Sequence, residues 1–161
     1  MRRIIIVVSG LVFASVLVFS LAALSAGAQT ARAKDHASGS DVVREARKYI
    51  GTKYEQATCT KSRMNCTCLT KKVFAKFGYE LPMSTSGQWD YEPARKVSKS
   101  SLRRGDMVFF EEDGHKGGIT HVGIYSGKGK LVHASSYFGE VVESEMSYIK
   151  GYYGAKRLRP R

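Results

Sequence analysis

From residue 105 onward the chain reads as strands. "GDMVFFEE" (105–112), "ITHVGIYS" (119–126), "KLVHASS" (130–136), "EVVESEM" (140–146) and "YYGAKRL" (152–158) are short, rich in β-formers and separated by glycine-bearing turns. The preceding part has a helical period. "DVVREARKYI" (41–50) places Val42, Val43, Ala46, Tyr49 and Ile50 on one stripe, with Ser40 or Asp41 as cap and Gly51 at its end. A loop through Tyr54 and Cys59 leads to a second helix over 66–77, with Leu69, Val73, Phe74 and Phe77 as its apolar face and Gly78 as its stop. "LPMSTSGQW" (81–89) is a turn opening into a short helix capped by Ser84 or Thr85. Helices first and strands afterwards predict an α+β domain, its N-terminal helices packed on a central antiparallel β-sheet.

The N-terminus is a separate matter. Arg2 and Arg3 precede a run from Ile4 to Leu24 broken only by serines and a glycine, and "SAGAQT" then permits cleavage after Ala28. A basic start, an apolar centre and a small-residue end describe a secretory signal over residues 1–28. The run also reaches the roughly 20 residues that span a bilayer, so a retained anchor fits it as well. Either way the leading arginines stay inside and the remainder is exported. No cysteine follows the small residues, which leaves a lipid anchor no attachment point. Residues 29–40 are polar and small, a linker, and 41–161 leave about 120 residues for one domain with its own core.

The chain has 26 Lys and Arg against 14 Asp and Glu, a net charge of +12; without Arg2 and Arg3 it is +10, 24 cations against 14 anions. Such a surface suits a polyanion. Export turns that expectation toward anionic cell-envelope polymers and away from nucleic acid, with the membrane touched only through the N-terminal segment. A merely solvated face is the plain alternative.

Cys66 stands at the predicted start of the second helix. Unpaired N–H groups and the helix dipole favour an anion there, which lowers a thiol's pKa and offers donors to an oxyanion. A small buried hydrophobe is the competing reading. A nucleophilic cysteine needs a base and a group that orients the base. His36 falls in the linker and His115 in "DGHKGG", both expected in solvent. His121 and His133 lie inside apolar strands joined by "SGKGK", a hairpin in the making. A three-residue loop over 126–128 sets the two histidines directly opposite each other. An even loop without a bulge puts them on opposite faces. On one face, opposite a helix that begins with cysteine, they supply the cysteine–histidine–orienter logic of papain-like peptidases.

Five segments in series carry a resemblance. "YIGTKY" (49–54), "NCTCL" (65–69), "ELPMSTSGQW" (80–89), "LRRGDMVFF" (102–110) and "HVGIYSGKGKLVHAS" (121–135) resemble, in order, motifs of the NlpC family of bacterial cell-wall cysteine peptidases, across roughly residues 42 to 158. The resemblance implies a papain-like NlpC-type domain with Cys66 as nucleophile, His121 as general base and His133 as the residue orienting it. Tyr54 matches the tyrosine bordering the family's active site, where it binds an oxyanion or substrate carbonyl. The implied reaction is hydrolysis of peptidoglycan stem peptides at the γ-D-glutamyl–diamino acid bond through a thioester, with no metal and no cofactor. Asn65 and Thr67 stand where the family has Asp and Ser, which help hold the substrate's amino end; Asn65 removes a negative charge from that place.

Cys68 takes the family's small Gly or Ala position. In an oxidising compartment an unpaired extra thiol is a liability, and Cys59 lies nine residues upstream in the loop leading to the same helix. A Cys59–Cys68 disulfide is expected, leaving Cys66 free. Three reduced thiols, or a zinc site of Cys59, Cys66, Cys68 and a histidine, are its rivals, the second poorly matched to common ligand spacing. The reading of the whole is a secreted or wall-associated peptidoglycan endopeptidase. A related-fold amidase or acyltransferase is the near alternative, and a non-catalytic basic wall-binding module the distant one.

Overall fold

In the computed structural model the described residues are 38–112 and 118–159. The 1–28 leader, linker residues 29–37, His36 and His115 lie outside them.

Helix α1 (Gly39–Arg47) starts earlier than its periodicity suggests, because Ser38 rather than Ser40 or Asp41 is the cap. The Asp41 carboxylate accepts both the Ser38 backbone N–H and the Ser38 hydroxyl at 2.7 Å. These bonds, with Arg44 alongside, hold Asp41 down at about 2. Val42, Val43 and Ala46 are buried as expected, whereas Ile50 is 45% exposed. The reason is local. The chain leaves α1 through tighter bonds, from Tyr49 N–H to the Ala46 carbonyl and from Ile50 N–H to that of Arg47, and this turn swings Ile50 off the stripe. Helix α2 (Cys66–Ala75) ends in the same manner, so Phe77 lies in the turn beyond it. The short helix α3 (Thr85–Trp89) has Ser84 as cap, its hydroxyl accepting the Gly87 N–H.

Among the described residues eight strands form one sheet: β1 (Lys53–Tyr54), β2 (Arg63–Met64), β3 (Arg95–Val97), β4 (Met107–Phe110), β5 (His121–Gly127), β6 (Lys130–Ser135), β7 (Glu140–Glu145) and β8 (Tyr152–Arg157). Their order is β2-β1-β7-β6-β5-β4-β8-β3. The pairings are antiparallel as expected, apart from the parallel contact of β1 with β2 at one edge. One face meets the helices: Met107, Phe109, Val122, Ile124, Val132 and Ala134 pack in one core with Leu69, Val73, Phe74 and Val42. The other face has a smaller cluster of Val108, Phe110, Leu131 and Ala155. Strands covered on both faces lose the apolar–polar alternation, which is why "MVFF" reads as a continuous apolar run. Full burial of each such side chain is worth about 1.5–3 kcal/mol.

The β5–β6 hairpin differs from the expected three-residue loop. Gly127 pairs with Lys130 across a two-residue turn, with Lys128 at φ 52° and Gly129 at φ 75°, the positive pair that a type I′ turn requires. A two-residue turn alone would put His121 and His133 on opposite faces. A bulge at Ser126 restores the parity, because the register shifts between Tyr125 and Gly127. Ile124 faces Val132 and Tyr125 faces Leu131; carried on, this register sets His133 across from Gly123 rather than from His121. The histidines are therefore diagonal neighbours on one face. A Cβ on Gly123 would lie 3.1 Å from the His133 Cβ, so the glycine keeps room for the imidazole.

Candidate active site

Asn65 begins the site by ending a strand-like approach and capping α2. Its side-chain oxygen accepts the Cys68 N–H at 2.9 Å and the Thr67 hydroxyl at 3.1 Å. Thr67 also donates toward the Met83 carbonyl. Both side chains are spent on internal bonds and are buried, so they shape the start of α2 instead of presenting a face to solvent. Gln88, fully buried, completes this support. Its amide donates to the Thr67 and Pro82 carbonyls at 2.9 and 2.8 Å, and its carbonyl oxygen accepts the Thr70 hydroxyl at 2.7 Å.

Cys66, the first residue of α2, is 7% exposed. Backbone N–H groups of Val122, Thr67 and Cys66 itself act on its sulfur and favour the thiolate. Burial outweighs them, with the Glu112 charge adding to it, and the thiol is pushed above its ordinary value. At rest Cys66 is a neutral thiol ringed by donors. Those donors gain most when negative charge develops near them.

Val122 follows His121 on β5, and that strand packs against the helix that Cys66 opens. His121 Nε2 lies 2.9 Å from His133 Nδ1, and His133 Nε2 lies 2.9 Å from the Ser144 hydroxyl. The two rings stand nearly perpendicular, at 87°. Burial and the facing His133 ring push His121 down to about 3, and burial pushes His133 down to about 4, so both rings are neutral. Two neutral imidazoles sharing one bond require one donor and one acceptor. The arrangement in which His121 Nε2–H donates to His133 Nδ1, and His133 Nε2–H to Ser144, leaves the His121 lone pair on Nδ1; the reverse arrangement puts a proton there. That nitrogen is 3.9 Å from Glu112 Oε2, a polar contact and not an ion pair while the ring is neutral.

Tyr54 joins the group through the field: burial raises its phenol, and negative charge on Cys66 and on Glu112 raises it further. Its hydroxyl donates to Gln56 Oε1 at 2.5 Å. Beyond the histidines opens a cavity of ≈ 440 Å³ lined by Glu112, His121, His133, Ser135, Ser144 and the aromatic rim of Tyr137, Phe138 and Tyr148. Cys59 and Cys68 are joined in a disulfide, and Cys66 is the free thiol. That pairing takes up two of the three sulfurs the zinc alternative needs.

Sequence reasoning reached Cys66, His121, His133 and Tyr54, and the structure brings them together. It missed Ser144, Glu112 and Gln88. Ser144 was within reach of a register argument: His133 pairs with Val142, so Ser144 is two residues along on the same face.

The NlpC/P60 family profile matches residues 51–158. The chain is 34% identical over 113 residues to a probable endopeptidase NlpC homolog of Haemophilus influenzae, across 68% of this chain and 57% of that protein. It is 38% identical over 116 residues to the murein DD-endopeptidase MepS/murein LD-carboxypeptidase of Escherichia coli K12, across 69% and 58% respectively. Among solved structures, an NlpC/P60 family protein from Bacillus cereus superposes with a TM-score of 0.69 at 26% identity, over 78% of this chain and 41% of that one. The chain thus spans little more than half the length of the two peptidase relatives.

Proposed function

Because the chain belongs to the NlpC/P60 family, we propose that it is an exported cysteine peptidase that hydrolyses peptidoglycan stem peptides at the γ-D-glutamyl–diamino acid bond. The observation that carries this is the histidine pair on the strands packed against the helix that Cys66 opens: His121 bonded to His133, with Cys66 the free thiol. Cys66 Sγ attacks the scissile carbonyl carbon as its proton passes to His121 Nδ1. The imidazolium so formed is stabilised through His133, whose own ring is anchored by Ser144. The N–H groups at the start of α2 donate to the developing charge. Collapse of the tetrahedral intermediate transfers the proton from His121 to the leaving amine and leaves a thioester. Water, deprotonated by His121, then attacks the thioester and releases the acid, restoring the thiol.

Export rests on the basic start and apolar run over residues 1–24, and the Cys59–Cys68 bond suits an oxidising compartment. A second bond has a specific claim, since the Escherichia coli relative is named a DD-endopeptidase and LD-carboxypeptidase. Digestion of purified peptidoglycan by the wild type and by Cys66→Ala, with products weighed by mass spectrometry, decides. Fragments ending in a free γ-D-glutamyl carboxyl, formed by the wild type alone, are expected. Cleaved D,D cross-links would transfer the assignment to the other bond. Equal products from Cys66→Ala would remove the cysteine mechanism, and none from either protein would leave a wall-binding module in its place.

A further inference from the structure

Three neighbouring cavities are joined by arginines that line two of them at once. The first, ≈ 450 Å³, is lined by Arg95, Lys96, Arg157 and Arg159; the second, ≈ 400 Å³, shares Arg157 and Arg159 and adds Arg103 and Arg104. Arg104 passes into the third, ≈ 350 Å³, which ends at Lys128 and Lys130. Two acids line this band and each is already occupied. Asp106 holds Arg157 through two bonds of 2.7 and 2.8 Å, and Glu143 holds Arg47 at 2.7 and 3.0 Å. Arg95, Arg103, Arg104 and Arg159 are exposed and take part in no ion pair among the described residues. Arg95 is moreover the direct cross-strand partner of Arg157, which adds its charge beside a guanidinium whose own carboxylate partner is Asp106.

The band is remote from the thiol. Arg104 packs over Gly127 at the end of β5, and His121 begins the same strand, about 20 Å away at about 3.3 Å per residue. Its shape and composition select the ligand. Six of the nine cations lining the three cavities are arginines, whose planar forks match phosphate oxygens two at a time. Consecutive depressions fit a thread of repeated charges better than one ion. None of the exposed large apolar residues among those described, Ile50, Met83, Tyr137, Phe138, Tyr148 and Tyr153, lines any of the three cavities. Tyr79, the one aromatic residue lining them, is buried at 5% exposure, so a membrane surface finds little apolar foothold there and nucleic-acid bases little stacking platform.

We propose that this band is a docking groove for a linear phosphodiester polymer of the cell envelope, of the poly(alditol phosphate) type, which holds the enzyme on the wall independently of the catalytic cleft. The proposal takes its extracytoplasmic setting from the function proposed above and needs nothing from the catalytic step. The test is retention of the full chain on immobilised poly(glycerol phosphate) across a salt series, with Cys66→Ala run in parallel. Wild type and Cys66→Ala should bind alike. The triple variant Arg95→Gln/Arg103→Gln/Arg104→Gln should bind at least about tenfold more weakly at 0.1 M salt, with a log–log salt slope shallower by about one per removed contact. Its turnover of a soluble stem peptide should match the wild type. A control with the same loss of charge elsewhere, Lys61→Gln/Lys76→Gln/Lys150→Gln, should bind within about twofold of wild type. Equal weakening by the control would reduce the effect to net charge and overturn the proposal. So would binding to phosphatidylglycerol vesicles, polygalacturonate or single-stranded DNA as tight as to the phosphodiester polymer. Failure of Cys66→Ala to lose peptidase activity would instead count against the catalytic reading alone.

Discussion

Cys66 separates two mechanisms that share the same residues. A stored thiolate–imidazolium pair needs a depressed thiol and a raised histidine; here burial raises the thiol and lowers both rings. In the proposed mechanism the proton therefore moves during attack, with His121 as a general base. Alkylation of the native protein by iodoacetamide should accelerate steadily from pH 6 to pH 9, because the thiolate fraction is still growing there. A rate already level below pH 7 would mean a preformed thiolate and contradict this account. At this scale the sequence exposed Cys66 and the two histidines, since a helix start and strand alternation are local signals. Ser144 and Gln88 were not legible in the same way. Ser144 acts through a strand register, and Gln88 through carbonyls of Thr67 and Pro82 that meet only after α3 has packed on α2.

The five strands from β4 to β8 were readable because each is long enough to show β-rich composition between glycine turns. Strands β1 to β3 have two or three residues each, too few for any period, and exist only because longer neighbours pair with them. The hairpin shows what a single bulge decides: without Ser126 displaced, the two histidines would not meet. Gly123 is the matching space across from His133, so Gly123→Val should push the imidazole away from His121. The expected outcome is at least a tenfold fall in kcat with a circular dichroism spectrum like the wild type; unchanged kcat would mean the relay tolerates a shifted ring. The Cys59–Cys68 bond is an element-scale device of another kind. It fastens the 55–63 loop to the first turn of α2, with the bridge Cys59↔Met64 beside it. Closing a nine-residue separation should stabilise the fold by about 2–3 kcal/mol. Urea midpoints of the wild type and of Cys59→Ser/Cys68→Ala, compared at equal m-value, measure this, and coincident curves would refute it.

Across the whole molecule, two buried neutral histidines tie stability to pH. Both rings titrate below their unfolded value of about 6.5, so in the unfolded chain they bind protons that the native state refuses. Native stability is then complete above pH 6.5 and is lost as the pH falls toward 4, by up to about 1.4 kcal/mol per pH unit for each ring. Asp41, held at about 2, works in the same direction at lower pH: its contribution is present above 3.8 and fades as the carboxyl protonates. A chain of net charge +12 also repels itself more strongly in acid, which by itself predicts a loss of the same sign. The two causes differ in where they reside. Replacing His121 and His133 together by Gln removes the refused protons but leaves nearly all the surface charge. Urea midpoints of the wild type at pH 4.5, 5.5, 6.5 and 7.5 should climb and then level off near 6.5, whereas the double variant should be almost flat over the same interval. A variant that keeps the full slope would assign the acid sensitivity to the surface as a whole and remove the histidine relay as its origin.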